Sequence, residues 1–318
     1  MKSYKQSVSV SLTGGLGNQL FQLAFIMYTA GDRTIQLDWT LGHPRLNING
    51  EPEIKSFKFS RNVLLLKKGS RSRIISRLFR YLLRQSTKTN QTNCKRLLYY
   101  FIEILMSLLL SCKHKKRTSV FTGRGIGYFS NLDSRSNNYY IGYFQSHIWA
   151  NNKNVYSKLM EMKPRKLSSE VEYFIEMAKH ESPLVVHFRL GDYKMEKLLG
   201  ILPEKYYALA IKKQMETNLY KTIWAFSDEP ELARLTLNKQ DYKNIRWIPN
   251  INDSPTQTLE VMRYGKGYVI ANSTFSWWGA FLSYTKEPRV IAPYPWFREQ
   301  ESPASIILPH WESIEPWN

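Results

Sequence analysis

Apolar and polar positions along this chain follow two periods in turn. Residues 7–12 read Ser-Val-Ser-Val-Ser-Leu, the every-second-residue pattern of a strand. After a glycine-rich turn, Leu20, Phe21, Leu23, Ala24 and Met27 fall at helical spacing. Short apolar runs at 183–186 and 267–271 read as strands buried on both faces, the mark of a parallel sheet. The pattern predicts strands over 7–12 and 33–38, helices over 18–30 and about 152–162, and a further element around Tyr139 to Ser146. The second half then alternates: helix 168–180, strand 183–188, helix 203–217, strand 222–227, helix 229–237, strand 245–248, helix 255–264, strand 267–271, helix 276–284 and strand 289–292. Such alternation predicts an α/β protein with parallel, doubly wound sheets. The 318 residues suffice for two such domains, with Lys163-Pro164-Arg165 as the linker, giving 1–163 and 164–318.

Three strand-to-helix junctions carry the candidate chemistry. His187-Phe188-Arg189-Leu190-Gly191-Asp192-Tyr193 begins on a buried strand, so Arg189 is placed at the C-terminal edge of a sheet, where open α/β folds bind ligands. An arginine there suits a diphosphate, which it grips bidentately. The alternative is a buried His-Arg-Asp network that only ties a loop to the sheet. Near the N-terminus, Thr13-Gly14-Gly15-Leu16-Gly17-Asn18-Gln19 joins strand to helix, an arrangement in which backbone N–H groups meet an anion. Its spacing lacks the third glycine of the dinucleotide fingerprint, and a tight turn without a ligand is the plainer reading. Near the C-terminus, Asn272-Ser273-Thr274-Phe275-Ser276-Trp277-Trp278-Gly279-Ala280 offers hydroxyls that cap a helix and equally hydrogen-bond phosphate oxygens. The tryptophan pair reads as core.

Together these segments resemble the glycosyltransferase family 11 fucosyltransferases, the bacterial α-1,2-fucosyltransferase group. Gly14 to Gln22 is similar to the family's opening signature and Tyr143-Phe144-Gln145-Ser146 to its mid-chain element. His187-x-Arg189-x-Gly191-Asp192-Tyr193 is similar to its nucleotide-sugar motif, and Phe226-Ser227-Asp228 and Ala271 to Ala280 complete the set in family order. The resemblance spans nearly the whole chain except residues near 45 to 130. It departs at Leu190, where the family usually has a second arginine, at Thr258, where it has an aspartate, and at Glu229, a milder change.

The resemblance implies two facing Rossmann-like domains of the GT-B type, the C-terminal one holding the donor nucleotide. It implies transfer of L-fucose from GDP-fucose to a galactose 2-hydroxyl, with inversion, in an oligosaccharide or lipid-linked glycan acceptor. Arg189 is then the leaving-group clamp, and Ser273, Thr274 and Phe275 stand at the phosphate-binding helix end. His187 hydrogen-bonds the donor or orients Arg189. Gly17 and Asn18 approach the donor from the other domain, and Asp228 contacts guanine or ribose. Asp192 is either the general base or the salt-bridge partner of Arg189; Asp38 is a weaker candidate base, and a reaction with no single base is a third option. No Asp-x-Asp pair or His/Cys ligand cluster is present in the sequence, so neither metal nor cofactor is expected. A different donor or linkage on the same scaffold is the first rival. A non-catalytic basic membrane- or nucleic-acid-binding protein on a degenerate nucleotide fold is the second, and the absent Gly-x4-Gly-Lys-Ser/Thr motif disfavours a P-loop phosphotransferase.

Charge adds one feature. The net charge is +19, and residues 55–117 hold seventeen Lys or Arg against a single acid, Glu103. Ile74 to Arg84 is amphipathic at helical period, with Arg73, Arg77, Arg80 and Arg84 on one face and a cluster of Lys113, Lys115, Lys116 and Arg117 downstream. This basic helical insertion either packs with a solvated charged face or meets anionic lipid. Nucleic acid is not expected, because no recognition motif accompanies the charge. Cys94 and Cys112 form no disulfide framework, which fits a reducing compartment. The first residues lack the apolar core of a signal peptide, and the run Leu97 to Leu110, broken by Glu103, falls short of a membrane span. A cytoplasmic protein, at most peripheral to the inner membrane, is expected.

Overall fold

A computed structural model describes residues 7–66, 72–88, 93–115, 117–129, 138–194, 196, 198–217, 219–237, 242, 244–251, 254–303 and 305–318. The chain divides into two compact units, Met1–Met162 with Pro303–Ser305, and Lys163–Ser302 with Ile306–Asn318.

The first unit contains β1 (Ser7–Ser11), α1 (Leu16–Ala30), β2 (Thr34–Asp38), β3 (Val63–Leu65), α2 (Arg73–Ser86), α3 (Asn93–His114), β4 (Val120–Thr122), β5 (Tyr139–Ile141), α4 (His147–Ala150) and α5 (Lys153–Met160). Its five strands pair in the order β3-β2-β1-β5-β4, all parallel. Alternation along β5 sends its side chains to opposite faces. Tyr140 meets Phe25 of α1, whose ring stacks on Phe144 at 3.7 Å, whereas Tyr139 and Ile141 join Phe79 and Leu82 of α2 and Met106 and Leu110 of α3.

The second unit contains α6 (Ser169–Glu181), β6 (Leu184–Phe188), α7 (Glu204–Met215), β7 (Ile223–Ser227), α8 (Pro230–Leu237), β8 (Ile245–Trp247), α9 (Pro255–Met262), β9 (Gly267–Val269), α10 (Thr274–Phe281), β10 (Arg289–Pro293) and β11 (Glu312–Ile314). Its six strands lie in the order β11-β10-β9-β6-β7-β8, again all parallel. β6 and β7 are buried along their whole length, as continuous apolar runs require.

The second sheet winds outward from β6 to β8 and then outward the other way from β9 to β11. In the first the chain winds outward from β1 to β3, crosses to the opposite edge at β4 and returns inward at β5. The order reverses between β1 and β5 in the first sheet and between β6 and β9 in the second. Such switch points, at the carboxyl ends of the strands, are where doubly wound folds bind ligands.

The structure departs from the sequence pattern in informative places. β3, β4 and β11 were not foreseen; each is a three-residue strand at a sheet edge, too short to show a period. α1 begins two residues early, at Leu16, and α10 begins at Thr274. The largest correction concerns the apolar run around Glu103. It belongs to one helix of 22 residues, and Cys94–His114 is long and apolar enough to cross a membrane by length and composition. Glu103 does not interrupt it because that carboxylate turns toward the sheet. In α2 the periodicity holds: Ile75, Phe79 and Leu82 are buried, and all four arginines are exposed. Lys116 lies outside the described residues.

Candidate functional site

Seven of the expected site residues gather around the ends of β6, β7 and β9. Arg189 is the first residue beyond β6. Its Nη2 lies 2.7 Å from Asp192 Oδ2 and its Nη1 3.2 Å from Asp228 Oδ2, with the guanidinium 5.6 Å from the centre of the Tyr193 ring. Asp228 follows β7 and also accepts the backbone N–H groups of Leu190 (2.9 Å) and Gly191 (3.1 Å). A Cβ at Gly191 would stand 2.9 Å from that carboxylate, so glycine is needed for the loop to close on it. The expected guanine or ribose contact is thus joined by a role visible in the structure: Asp228 bends the loop after β6 and aims Arg189. Asp192 is half exposed on its side chain, whereas Arg189 is 17% exposed.

The second strand end is tied to the first. Tyr193 donates its hydroxyl to the Asn272 carbonyl at 3.0 Å, and burial pushes that phenol up to about 12, so it remains a donor. Asn272 donates from Nδ2 to the carbonyls of Leu199 and Gly200. Ser273 caps α10, its Oγ accepting from Phe275 N, and Thr274 opens the helix half-buried. The Phe275 ring sits 5.8 Å from His187. His187 is 4% exposed, and burial lowers its imidazole to about 3, reinforced by Arg189 and opposed by Asp228. The ring is therefore neutral near pH 7, and its Nδ1 has no hydrogen-bond partner among the described residues. Buried polar atoms of this kind carry a cost that a bound ligand relieves. His187, Arg189, Asp192, Asp228, Ser273, Thr274 and Phe275 accordingly share one switch point.

Gly17 and Asn18 belong to the other unit, at the end of β1. There the glycine turn is packed by its own chain. Gly14 has φ +73°, and a Cβ on it would strike Asn18 Nδ2 at 2.4 Å. Leu16 N, at the start of α1, donates to the buried Glu53 carboxylate at 2.6 Å. The sequence offered this helix end as an anion site; at Leu16 the chain supplies the anion itself. Gln19 donates to the carbonyls of Gly14 and Arg45 and accepts from Ile54 N, while Gln22 bridges Thr13 N and the Gly142 carbonyl. Gly17 is buried in the first turn of α1, and Asn18 stays partly exposed, its Oδ1 accepting from Gln145 Nε2 at 2.9 Å. Two motifs 127 residues apart thus meet at the β1–β5 switch point.

Asp38, the weaker candidate base, is buried and accepts from the Tyr139 hydroxyl (2.7 Å) and Thr40 N, so it holds the sheet. Leu190 lies in the apolar core, and Thr258 Oγ1 is buried between Ile251 N and the Ser254 carbonyl. Both departures therefore fill structural positions. Among the described residues no group of three or more His, Cys, Asp or Glu could hold a metal ion. Sequence reasoning missed Glu53, an isolated acid in a loop with no periodic signal, and left Tyr193 without a role although it stands inside the motif.

Comparison with known proteins follows the same lines. An α-1,2-colitosyltransferase from Escherichia coli is 29% identical over 161 residues, 48% of this chain and 54% of the relative. The O-antigen biosynthesis glycosyltransferase WbnK from Escherichia coli is 33% identical over 119 residues, 35% of this chain and 38% of the relative. The matched stretches thus span about half or less of each curated relative. An ADP-heptose LPS heptosyltransferase II from Escherichia coli shares the GT-B type of fold, with a TM-score of 0.51 at 9% identity over 97% of this chain and 90% of that one. The family model described as glycosyl transferase family 11 matches residues 7–315. With both sheets and both switch points inside that match, the chain belongs to glycosyl transferase family 11.

Proposed function

We propose that this protein transfers L-fucose from GDP-fucose to the 2-hydroxyl of a galactose in a cell-surface glycan such as an O-antigen or capsule repeat, at the cytoplasmic side and without a metal. The observation that carries the reading is the placement of Arg189 at the β6–β9 switch point, aimed by two carboxylates and joined through Tyr193 to the turn that opens α10. Family membership and the linkage and O-antigen wording in the relatives' names support it.

The acceptor oxygen attacks the anomeric carbon of fucose from the face opposite the diphosphate. The bond from that carbon to the β-phosphate oxygen breaks, GDP leaves with the electron pair, and the configuration inverts. Charge grows on the diphosphate as it leaves. Arg189 and the α10 N-terminus with Ser273 and Thr274 meet that charge. The exposed Asp192 is the partner that a phosphate oxygen displaces, whereas Asp228 keeps the guanidinium in register through its two backbone bonds. Neutral His187 offers Nδ1 to the donor without adding a second cation. Asp192, once released, is the nearest carboxylate to the clamp able to take the acceptor proton.

The name of the α-1,2-colitosyltransferase relative favours one second reading: the same linkage made from a donor sugar that lacks the 3-hydroxyl of fucose. Purified protein incubated with GDP-fucose or GDP-colitose and a panel of β-galactosides, in EDTA, separates the two. Fucosylated product at galactose O2 with GDP release supports the first reading. Turnover of GDP-colitose alone replaces the donor, and silence with every donor refutes both.

A further inference from the structure

The basic insertion holds a second candidate surface, distinct from the switch points. α3 is sewn to the first sheet along one face. Glu103 Oε1 accepts from Thr122 N at 2.7 Å and Oε2 pairs with Arg124 at 3.0 Å. Ser107 Oγ accepts from Val120 N (2.9 Å) and Ser111 Oγ from Thr118 N (2.8 Å). Tyr99, Met106 and Leu110 fill the core beneath. The opposite face carries Leu97 (71% exposed), Phe101 (62%), Ile104 (60%) and Leu108 (60%). Their spacing of four, three and four residues makes one stripe along the helix. Scattered exposed leucines are ordinary, but four large apolar side chains in line mark an interaction surface.

The surroundings of the stripe decide what it meets. Arg73, Arg77, Arg80 and Arg84 of α2, which packs beside α3, are exposed, as are Lys95 and Arg96 near the start of α3 and Lys113 near its end. The one acid of residues 55–117, Glu103, is buried and paired, so the exposed charge in the segment is of one sign. A second copy of this chain would bring two cationic rims together. A nucleic acid would leave the apolar stripe unused. A bilayer crossing would tear Glu103, Ser107 and Ser111 from the backbone groups they satisfy. An apolar stripe rimmed by arginine and lysine instead matches the boundary between acyl chains and anionic headgroups.

We propose that α3 lies flat on an anionic membrane surface, with the Leu97–Leu108 stripe at the acyl boundary and the arginines of α2 on lipid phosphates. The test is co-sedimentation of the full chain with vesicles of phosphatidylcholine mixed with phosphatidylglycerol, and with phosphatidylcholine alone. Binding should favour the mixed vesicles and weaken between ~0.1 and ~0.5 M salt as charges are screened. The double variant Phe101→Glu/Ile104→Glu should lose at least ~10-fold in binding, because charges in the apolar boundary are costly. Arg77→Glu/Arg84→Glu, on solvated α2 positions, should lose at least ~30-fold, from about fivefold for each charge removed. The second pair keeps the test open if the first misfolds. Three results would overturn the proposal: equal binding by wild type and both variants, wild-type dimerisation abolished by Phe101→Glu/Ile104→Glu without vesicle binding, or bound protein that resists alkaline extraction as a spanning helix does.

Discussion

The two switch points of this molecule occupy equivalent places in two parallel sheets, yet they use charge in opposite ways. At the β1–β5 end the chain spends its own carboxylate, Glu53, on the first N–H of α1 and closes the turn with Gln19 and Gln22. At the β6–β9 end it presents a guanidinium whose partners include the half-exposed Asp192. The two ends share the strand-turn-helix topology and differ in whether the chain itself has supplied a counter-charge to the helix start. The first turn is a structural closure that leaves Asn18 partly exposed against the buried Gln145; under the proposed function the second exchanges its internal partner Asp192 for a ligand oxygen.

That contrast breaks or sharpens under substitution. Arg189→Ala should lower turnover by ~10²–10³, the usual cost of losing a charge-stabilising donor, and Arg189→Lys should restore only part of it because a lysine cannot bind in fork geometry. GDP release in the presence of acceptor reads this out; near-wild-type turnover in the alanine variant would remove the clamp. Glu53→Ala should cost ~1.5–3 kcal/mol of stability, read from the urea midpoint, with turnover of the folded fraction preserved. A variant that kept its stability and lost turnover would move chemistry to the first switch point.

The His187 imidazole supplies a pH signature of the second site. Its pKa falls from 6.5 to about 3 on folding because burial disfavours the cation. Below about 6.5 the unfolded chain binds a proton that the folded chain does not, so stability present above that pH is lost as pH falls toward 3. The slope should approach ~1.4 kcal/mol per unit, and His187→Gln should flatten it in denaturation midpoints compared at about pH 7.5 and about pH 5. An unchanged slope would contradict the buried neutral ring. The smallest expected effect is that of EDTA, which should leave turnover unaltered; a loss restored by added Mg²⁺ would show that Arg189 and the α10 end do not neutralise the diphosphate alone.

Much of the fold was legible because its determinants are local. β6 and β7 begin as apolar runs and are buried throughout, and helices alternate with strands along the second unit as the pattern predicts. The edge strands β3, β4 and β11 escaped because three residues display little pattern of their own, whereas the equally short edge strand β8 was legible from its place in the regular helix–strand alternation between α8 and α9. At the site, Arg189, Asp192 and Ser273 could be placed at strand ends from the chain alone. The grip of Asp228 on Leu190 N and Gly191 N could not, since it joins positions 38 and 37 residues apart. Glu103 shows the same limit: read linearly it breaks an apolar run, and only the Arg124 guanidinium and Thr122 N–H beside it explain a helix that continues through it.

The sequence by itself determined the alternation of parallel strands and helices, the family, and the segment that carries nearly all the excess charge. Those follow from side-chain period, motif and composition, which need no partner to be read. Only the tertiary structure decided which junction is closed by its own carboxylate, which arginine is held ready between two acids, and which face of α3 remains apolar and exposed. Each of those depends on what a residue distant in the chain brings within hydrogen-bond reach, and burial and charge act through that proximity.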